Sequence, residues 1–436
     1  MTLLLGIDLG TSYFKVGLFD PQGVLKGLGR VAVAVDAPQP GRVELPVGRF
    51  WALLQSGLAA ALHQAGATAG EIAGVAYSSQ ANTFLLVDRQ DDPLTPLVLW
   101  TDARAAELDE QWREFTLSGE FGRTTGFNGS TSHAAAAKWL WFQKNEPQLW
   151  TQAQGIMTVA DYFTFMLTGE RVGDAGTAAL LGLYDLGAQA WWPRAQEYYG
   201  VADKRFSAPL RPGTVRGKTS AAAKKLLGLP RGVPFAVGGL DHHVAALGAG
   251  LGSVADASIS TGTVLAAVAL CDRVTPMPRC YHGPHFEGGA FYRLAFDPRG
   301  AGQLEEYRQG FAPESSIEQL IASVAKLSGA SHERGAAVRA ILEKIAIAHR
   351  ELLFRLREGA PVRRVVATGG GARSEVWLQI KADILGLPVV APASAESACL
   401  GAAMLASVAA GVHGALPNAA KTMARPGKTF LPGGIS

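Results

Sequence analysis

The chain has 436 residues, 48% hydrophobic and 18% charged, with a formal charge of +3. That length favours two domains over one core, and the balance is that of a well-buried α/β protein. So slight a positive excess, with no Lys/Arg run or aromatic-interleaved basic patch, argues against a nucleic-acid partner.

No apolar run is long enough to span a bilayer. Leu3-Leu4-Leu5 is too short for a signal-peptide core, and Asp8 interrupts it. Three cysteines, Cys271, Cys280 and Cys399, cannot all pair with one another, which points to a reducing compartment. The expectation is a cytoplasmic protein.

In chain order, Leu3–Ile7 reads as a buried strand ending on Asp8, then Gly10-Thr11-Ser12, then a second strand from Lys15 to Phe19. Asp20-Pro21-Gln22-Gly23 turns the chain into a third strand within 25–35. The hairpin at Gly10-Thr11-Ser12 presents N–H groups and hydroxyls suited to an anion. Asp8 stands where a metal escorting a phosphate needs an oxygen ligand. The alternative is an ordinary hairpin with an edge aspartate.

Residues 47–65 follow Pro46 with helical apolar spacing. Strands follow at 72–77 and 83–87, separated by Ser78-Ser79-Gln80. The segment 93–100 runs to Thr101-Asp102-Ala103-Arg104, where Asp102 is either a ligand-side carboxylate at a strand end or a helix cap. Residues 120–133, rich in Gly, Ser and Thr, read as loop; 134–144 as a helix stopped by Pro147; and 161–168 as a helix closed by Gly169. Trp191-Trp192 reads as packing or a surface patch. Pro212–Thr219 resembles a Walker A loop but has proline at its first required glycine, so it reads as a turn before a helix at 220–227. The glycines of 248–252 lack dinucleotide-fingerprint spacing.

A strand at 234–237 leads to Gly239-Leu240-Asp241-His242-His243 and a helix from Val244. The strands 257–260 and 264–270 flank Thr261-Gly262-Thr263, repeating the opening hairpin. Two such hairpins, one in each half, can hold a polyphosphate from both sides, with a domain boundary near 240–255. Arg279–Glu287 carries Cys, His, His and Glu but matches no closed zinc spacing, so a solvated loop is expected. A long helix is expected at 333–357 and a strand at 362–367. Gly369-Gly370-Gly371-Ala372-Arg373-Ser374 comes next, followed by a helix at 376–385. Glycines between strand and helix let a ligand approach the backbone. A small-residue helix at 395–411 precedes a tail, after Gly414, expected to be poorly ordered.

Four blocks, in order along nearly the whole chain, resemble the FGGY carbohydrate kinases of the actin–hexokinase superfamily. They are Gly6–Ser12, Gly239-Leu240-Asp241, Ser260–Thr263, and Gly369–Ser374 with Trp377, Gln379, Ala382 and Asp383. Leu99–Arg104 and Asp161-Tyr162 with Leu167–Glu170 support them. The resemblance implies two ribonuclease-H-like domains of the actin/hexokinase type, residues 1–245 and 246–436, with a cleft between them. It implies Asp241 as general base, and Asp8 with Asp241 as Mg²⁺ ligands. It sets Thr11 and Ser12 against the ATP phosphates from one side and Gly262 and Thr263 from the other, with Gly370, Gly371 and Ala372 against adenosine. Sugar contacts are expected from Gln80, Ala81, Asn82, Trp100, Asp102, His133 and His242.

Two features depart from the family. Ala81-Asn82 replaces the Arg-Glu of glycerol kinases and the Met-His of xylulose kinases. The loop bearing the family's second signature reads as deleted between Gly310 and Ser331, which makes the second domain smaller. The expected activity is ATP-dependent phosphorylation of a small sugar or polyol of the pentose or ketose type. Its partners are then small molecules, with no nucleic acid or membrane, and a homodimer is left open. The rival is a sensor that binds nucleotide or sugar and transfers little, and a more remote one is a metalloenzyme using the Cys280–Glu287 stretch.

Overall fold

The computed structural model describes residues 1–107, 110–129, 132–262, 264–297, 300, 302–324, 330–356 and 361–433. Strands β1 (Leu3–Leu9), β2 (Tyr13–Phe19) and β3 (Leu25–Ala32) form an antiparallel meander. β1 is buried along its whole length, as an apolar run must be in a sheet covered on both faces. Helix α1 (Val47–Ala65) covers the meander with Phe50, Trp51, Leu54 and Leu58. Burial of each such side chain stabilises by about 1.5–3 kcal/mol. Left-handed Gly66 ends the helix. β4 (Ile72–Ser79) then pairs parallel to β1, with Asp8 opposite Ser78 and Leu9 opposite Ser79.

Next the chain leaves this sheet for an excursion built on a small four-stranded sheet that includes Phe84–Val87 and Gly155–Thr158. Its helices include α2 (Gly119–Thr125), α3 (Ala135–Asn145), α4 (Val159–Thr168) and α5 (Ala175–Leu180). α2 replaces part of the loop expected over 120–133. Ser118 Oγ accepts from Phe121 N at 3.1 Å, and the Phe121 ring is buried, so one cap and one apolar anchor outweigh the loop-forming composition. Pro147 opens a further short helix at its first position rather than merely stopping α3. Trp191 and Trp192 pack against the apolar cluster of this excursion.

The first sheet is completed by β5 (Val215–Lys218), β6 (Pro234–Ala236) and β7 (Gly239–Leu240). The turn expected over 212–219 is confined to its start, because 215–218 pairs antiparallel with β6 as an edge strand. β6 and β7 both pair parallel with β4, giving the order β5-β6-β4-β1-β2-β3 with β7 also on β4. Helix α6 (Asp241–Ala249) starts directly after β7, three residues before the expected Val244, and runs through positions 245 and 246.

The second sheet repeats this plan. β8 (Ala257–Thr261) and β9 (Leu265–Cys271) form the hairpin; β10 (Cys280–Pro284) and β11 (Phe291–Asp297) extend it. After the long helix α7 (Ala330–Leu356), β12 (Val365–Gly369) pairs parallel to β8. A 3₁₀ turn at Gly370–Arg373, α8 (Glu375–Leu385), β13 (Val389–Pro392), α9 (Ser397–Ala409), α10 (Leu416–Met423) and β14 (Pro426–Phe430) complete it. The order is β10-β11-β9-β8-β12-β13-β14. Both sheets thus have an antiparallel meander, two parallel additions and an antiparallel edge.

Two expectations fail here for the same reason: tertiary pairing. Residues 280–284 are a fully buried strand rather than a solvated loop, paired with β11 and packed under α5. From 416 to 430 the chain after Gly414 forms regular structure, with Ala419, Ala420 and Met423 of α10 buried and β14 paired to β13; residues 434–436 lie outside the described residues. α9 crosses back to pack on β1, β4 and α6. A Cβ on Gly6 would stand 2.0 Å from Cys399 O, and one on Gly248 1.9 Å from Ser397 O. Those glycines are there for close backbone packing. None of the three cysteines is in a disulfide. Among the described residues no helix is long and apolar enough to cross a membrane.

Candidate active site

β1, β4 and β7 run parallel, and Asp8 and Gly239 flank Ser78 from opposite sides. With strands about 4.8 Å apart, Asp8 and the start of α6 face each other across the end of β4. Asp8 is buried; Ser78 Oγ donates to its Oδ1 at 3.1 Å, and Lys15 Nζ lies 3.7 Å from its Oδ2. Burial pushes the Asp8 carboxyl up to about 6; Lys15 opposes this, and the charges of Asp241 and Glu396 add to it. Asp241 is therefore close enough to be felt. It is the first residue of α6, whose cap position is Leu240, and no side chain caps that helix. The N-cap alternative for Asp241 is thereby removed. Its Oδ1 accepts from the His242 N–H at 2.7 Å.

A chain of charge leads from here to the other half. Lys15 Nζ lies 3.1 Å from Glu396 Oε2, and Arg373 donates to Glu396 Oε1 at 2.6 Å. Burial alone would lower the Lys15 amine, but Asp8 and Glu396 outweigh it and hold it above its usual value. The sequence reading missed Lys15 and Glu396. The signal was present in β2, where one lysine interrupts an otherwise apolar strand and so needs a partner.

Where sugar contacts are expected, the structure brings Gln80 and Trp100 together with Thr11. Trp100 Nε1 donates to Thr11 Oγ1 at 2.7 Å, Thr11 Oγ1 donates to Gln80 Oε1 at 3.4 Å, and Gln80 Nε2 donates to Gly10 O at 3.2 Å. The Thr11 hydroxyl, expected at the ATP phosphates, is thus engaged by Trp100 and Gln80. Ser12 is exposed. Ala81 is buried, while Asn82, at φ 59°, accepts from Ala135 N at 3.0 Å and so anchors the start of α3. The His133 ring meets the Trp100 ring edge to face at 5.9 Å and is exposed; His242 is half-buried beside Asp241.

Asp102 is a correction. Its side chain has no exposure; Arg104 Nε donates to Oδ1 and Nη2 to Oδ2, both at 2.8 Å, and Val43 N donates to Oδ2 at 2.7 Å. With no helix starting there, it is neither a sugar contact nor a cap but half of a buried ion pair. Lys138, which the sequence reading passed over, reaches from α3 to the carbonyls of Leu99, Trp100 and His133 at 2.9–3.1 Å and fixes that loop.

Where nucleotide is expected, Thr261 pairs with Gly369, so the two turns that leave β8 and β12 start side by side. Gly369 has φ 74°, and a Cβ there would meet Thr261 O at 2.5 Å. Gly262 and Gly370 are exposed, Gly371 is buried and Ala372 half-buried. Thr263 lies outside the described residues. His243 is not part of this surface. It is buried, stacked between Tyr281 and Tyr292 at 5.8 and 4.4 Å, and burial, then His242 and His285, hold it near 3. Within the stretch considered for metal, His282 is taken up by Gly126 O at 3.0 Å and Arg293 at 3.0 Å. No three His, Cys, Asp or Glu side chains gather as a metal site among the described residues.

The model of the N-terminal domain of the FGGY family of carbohydrate kinases matches residues 3–248, and that of the C-terminal domain matches residues 206–410. This chain belongs to the FGGY family of carbohydrate kinases. Its fold is that of the family's two actin/hexokinase-like domains: a crystal structure of xylulose kinase from Rhodospirillum rubrum superposes with a TM-score of 0.85. That alignment is 24% identical and covers 99% of this chain and 94% of that one. An L-xylulose/3-keto-L-gulonate kinase of Escherichia coli is 28% identical over 98% of this chain and 92% of its own length. A xylulose kinase of Lactococcus lactis is 26% identical over 95% and 89%. The kinase described here is thus an enzyme that phosphorylates a sugar with ATP, and no observation favours the sensor.

Proposed function

We propose that this kinase phosphorylates a hydroxyl of a five- or six-carbon keto sugar or its polyol, with Asp241 as the base. The observation that carries the reading is the placing of Asp241, directly after β7, across β4 from Asp8, close enough that its charge bears on the Asp8 carboxyl. The sugar lies against Gln80, Asn82, Trp100, His133 and His242. ATP spans Gly262 and Thr263 to Gly370, Gly371 and Ala372, and Ser12 approaches its phosphates from the other side. The two halves are 1–245 and 246–436, joined through α6.

In the reaction the sugar oxygen forms a bond to the γ-phosphorus while the bond from that phosphorus to the ADP oxygen breaks. Asp241 orients the hydroxyl and accepts its proton as transfer proceeds. Catalysis is then chiefly positioning and charge neutralisation. The packing of the halves on each other keeps water from competing as acceptor. Two facing carboxylates, one held up near 6 by burial, are oxygen donors of the type Mg²⁺ takes. Asp8 and Asp241 would hold that ion, which supplies neutralisation of phosphate charge. Relatives named for xylulose and 3-keto-L-gulonate support a keto sugar; the uncharged Ala81-Asn82 pair supports a neutral one.

The test is ADP release against pentoses, pentuloses, hexoses, hexuloses and polyols. A keto sugar should give the highest kcat/KM, and Asp241→Ala should abolish its turnover. Turnover of glycerol alone, or turnover that survives in Asp241→Ala, would contradict the reading.

A further inference from the structure

The second half carries a buried lysine that neither the phosphoryl-transfer chemistry nor the family blocks use. Lys381, on α8, is fully buried. Its Nζ donates to Thr261 Oγ1 at 2.8 Å and lies over the Trp377 ring, 4.8 Å from the centroid. A Cβ built on Gly371 would stand 3.1 Å from Nζ and 2.9 Å from Thr261 Cβ. The amine thus sits one residue beneath the surface, where the end of β8 meets the glycine turn after β12.

No carboxylate pairs with Lys381 among the described residues. Among the described residues, the titratable group of a neighbouring element on which the Lys381 charge bears is His349 of α7, whose Nε2 lies 3.0 Å from Ser260 O. That imidazole is held near 3, by burial first and the Lys381 charge second, so it stays neutral and offers no countercharge. Arg373, in the 3₁₀ turn, is engaged by Glu396. Burial alone brings the Lys381 amine down to about 7. A protonated amine has three donors to satisfy, and the hydrogen bond to Thr261 accounts for one. What the site lacks is negative charge.

We propose that Lys381 is a positioning residue that takes up a proton when a nucleoside polyphosphate binds, becoming the countercharge beneath the Thr261–Gly371 seam. This rests on the assignment of ATP to that seam. The proton comes from solvent and stays on Nζ; no bond of the nucleotide breaks in this step. The hydrogen bond to Thr261 then holds the strand end from which Gly262 turns toward the phosphates.

The experiment is calorimetric titration of the enzyme with Mg-ATP, without sugar, in buffers of different ionisation enthalpy. pH 8 is chosen because Asp8 is already ionised there. Linkage predicts uptake of about one proton per ATP at pH 8, and a dissociation constant that rises up to about tenfold per pH unit above pH 7. Lys381→Met should lose both the uptake and the pH slope. Thr261→Val, which keeps the amine but removes its partner, should weaken ATP binding yet retain uptake. If Lys381→Met fails to fold, the wild-type and Thr261→Val titrations still decide. Wild-type enzyme that binds ATP with no net uptake overturns the inference alone, as does undiminished uptake in Lys381→Met. Wild-type enzyme that binds no ATP overturns the nucleotide assignment with it.

Discussion

The two halves share one sheet plan but set opposite charge beneath their hairpins. Under the first, Lys15 lies between Asp8 and Glu396, and those carboxylates hold its charge. Under the second, Lys381 has a hydroxyl where Lys15 has acids, and its charge is suppressed. One sheet plan therefore carries an acid-rich mouth in the first half and a lysine-bearing mouth in the second. The topology provides the position; the few buried side chains at each strand end decide what is bound there.

The strongest way to break this comparison is at the join. Asp241→Asn should lower kcat by about 10²- to 10⁴-fold, the range for losing a general base, while the ATP dissociation constant changes little. A parallel loss of ATP affinity in calorimetry would mean that Asp241 serves the second mouth as well. Next is the support of the first mouth alone. Arg104→Met leaves Asp102 buried and unpaired and should cost about 3–5 kcal/mol in urea unfolding. An unfolding midpoint equal to wild type would return Asp102 to the pool of ligand candidates.

Asp8→Asn sharpens the acid-rich side. Because the folded protein holds the Asp8 carboxyl up near 6, it binds more protons than the unfolded chain between about pH 4 and 6, so stability falls as pH rises through that window. Above it the full penalty applies. Two pKa units bound it at about 3 kcal/mol. Asp8→Asn should accordingly be more stable than wild type at pH 7, equal near pH 4, and much less active at both. Equal melting at pH 7 would show that the folded protein does not hold the Asp8 carboxyl above its ordinary value. The smallest effect is expected from Thr11→Val, which removes the Trp100–Thr11–Gln80 bridge. A net hydrogen bond of about 1 kcal/mol predicts a several-fold rise in sugar KM with ATP KM unchanged. The opposite split would move Thr11 to the phosphate side.

Much of this molecule follows from local pattern. α1 spans the residues its apolar spacing and Pro46 mark, and both hairpins, with their glycine and hydroxyl turns, fall where the residues suggest. Asp8, Asp241 and the glycine turn stand out as candidates only because their blocks fall in the family's order; each by itself has an ordinary structural alternative. Residues 280–284 and the tail after Gly414 are not legible, because their order comes from β11, α5 and β13, which lie elsewhere in the chain.

The sequence by itself determined the two strand–turn–strand units, with Asp8 near the end of the first strand and Thr261 at the end of the matching one, since period, turn chemistry and strand ends are local properties. Only the tertiary structure decided which charges are spent inside the protein. Asp102 is consumed by Arg104, Lys15 is shared by two acids, and Lys381 is left with a hydroxyl. The reason is that the cost of a buried charge depends on what lies within a few ångströms of it, and those neighbours come from segments as far apart as residues 15 and 396 or 261 and 381.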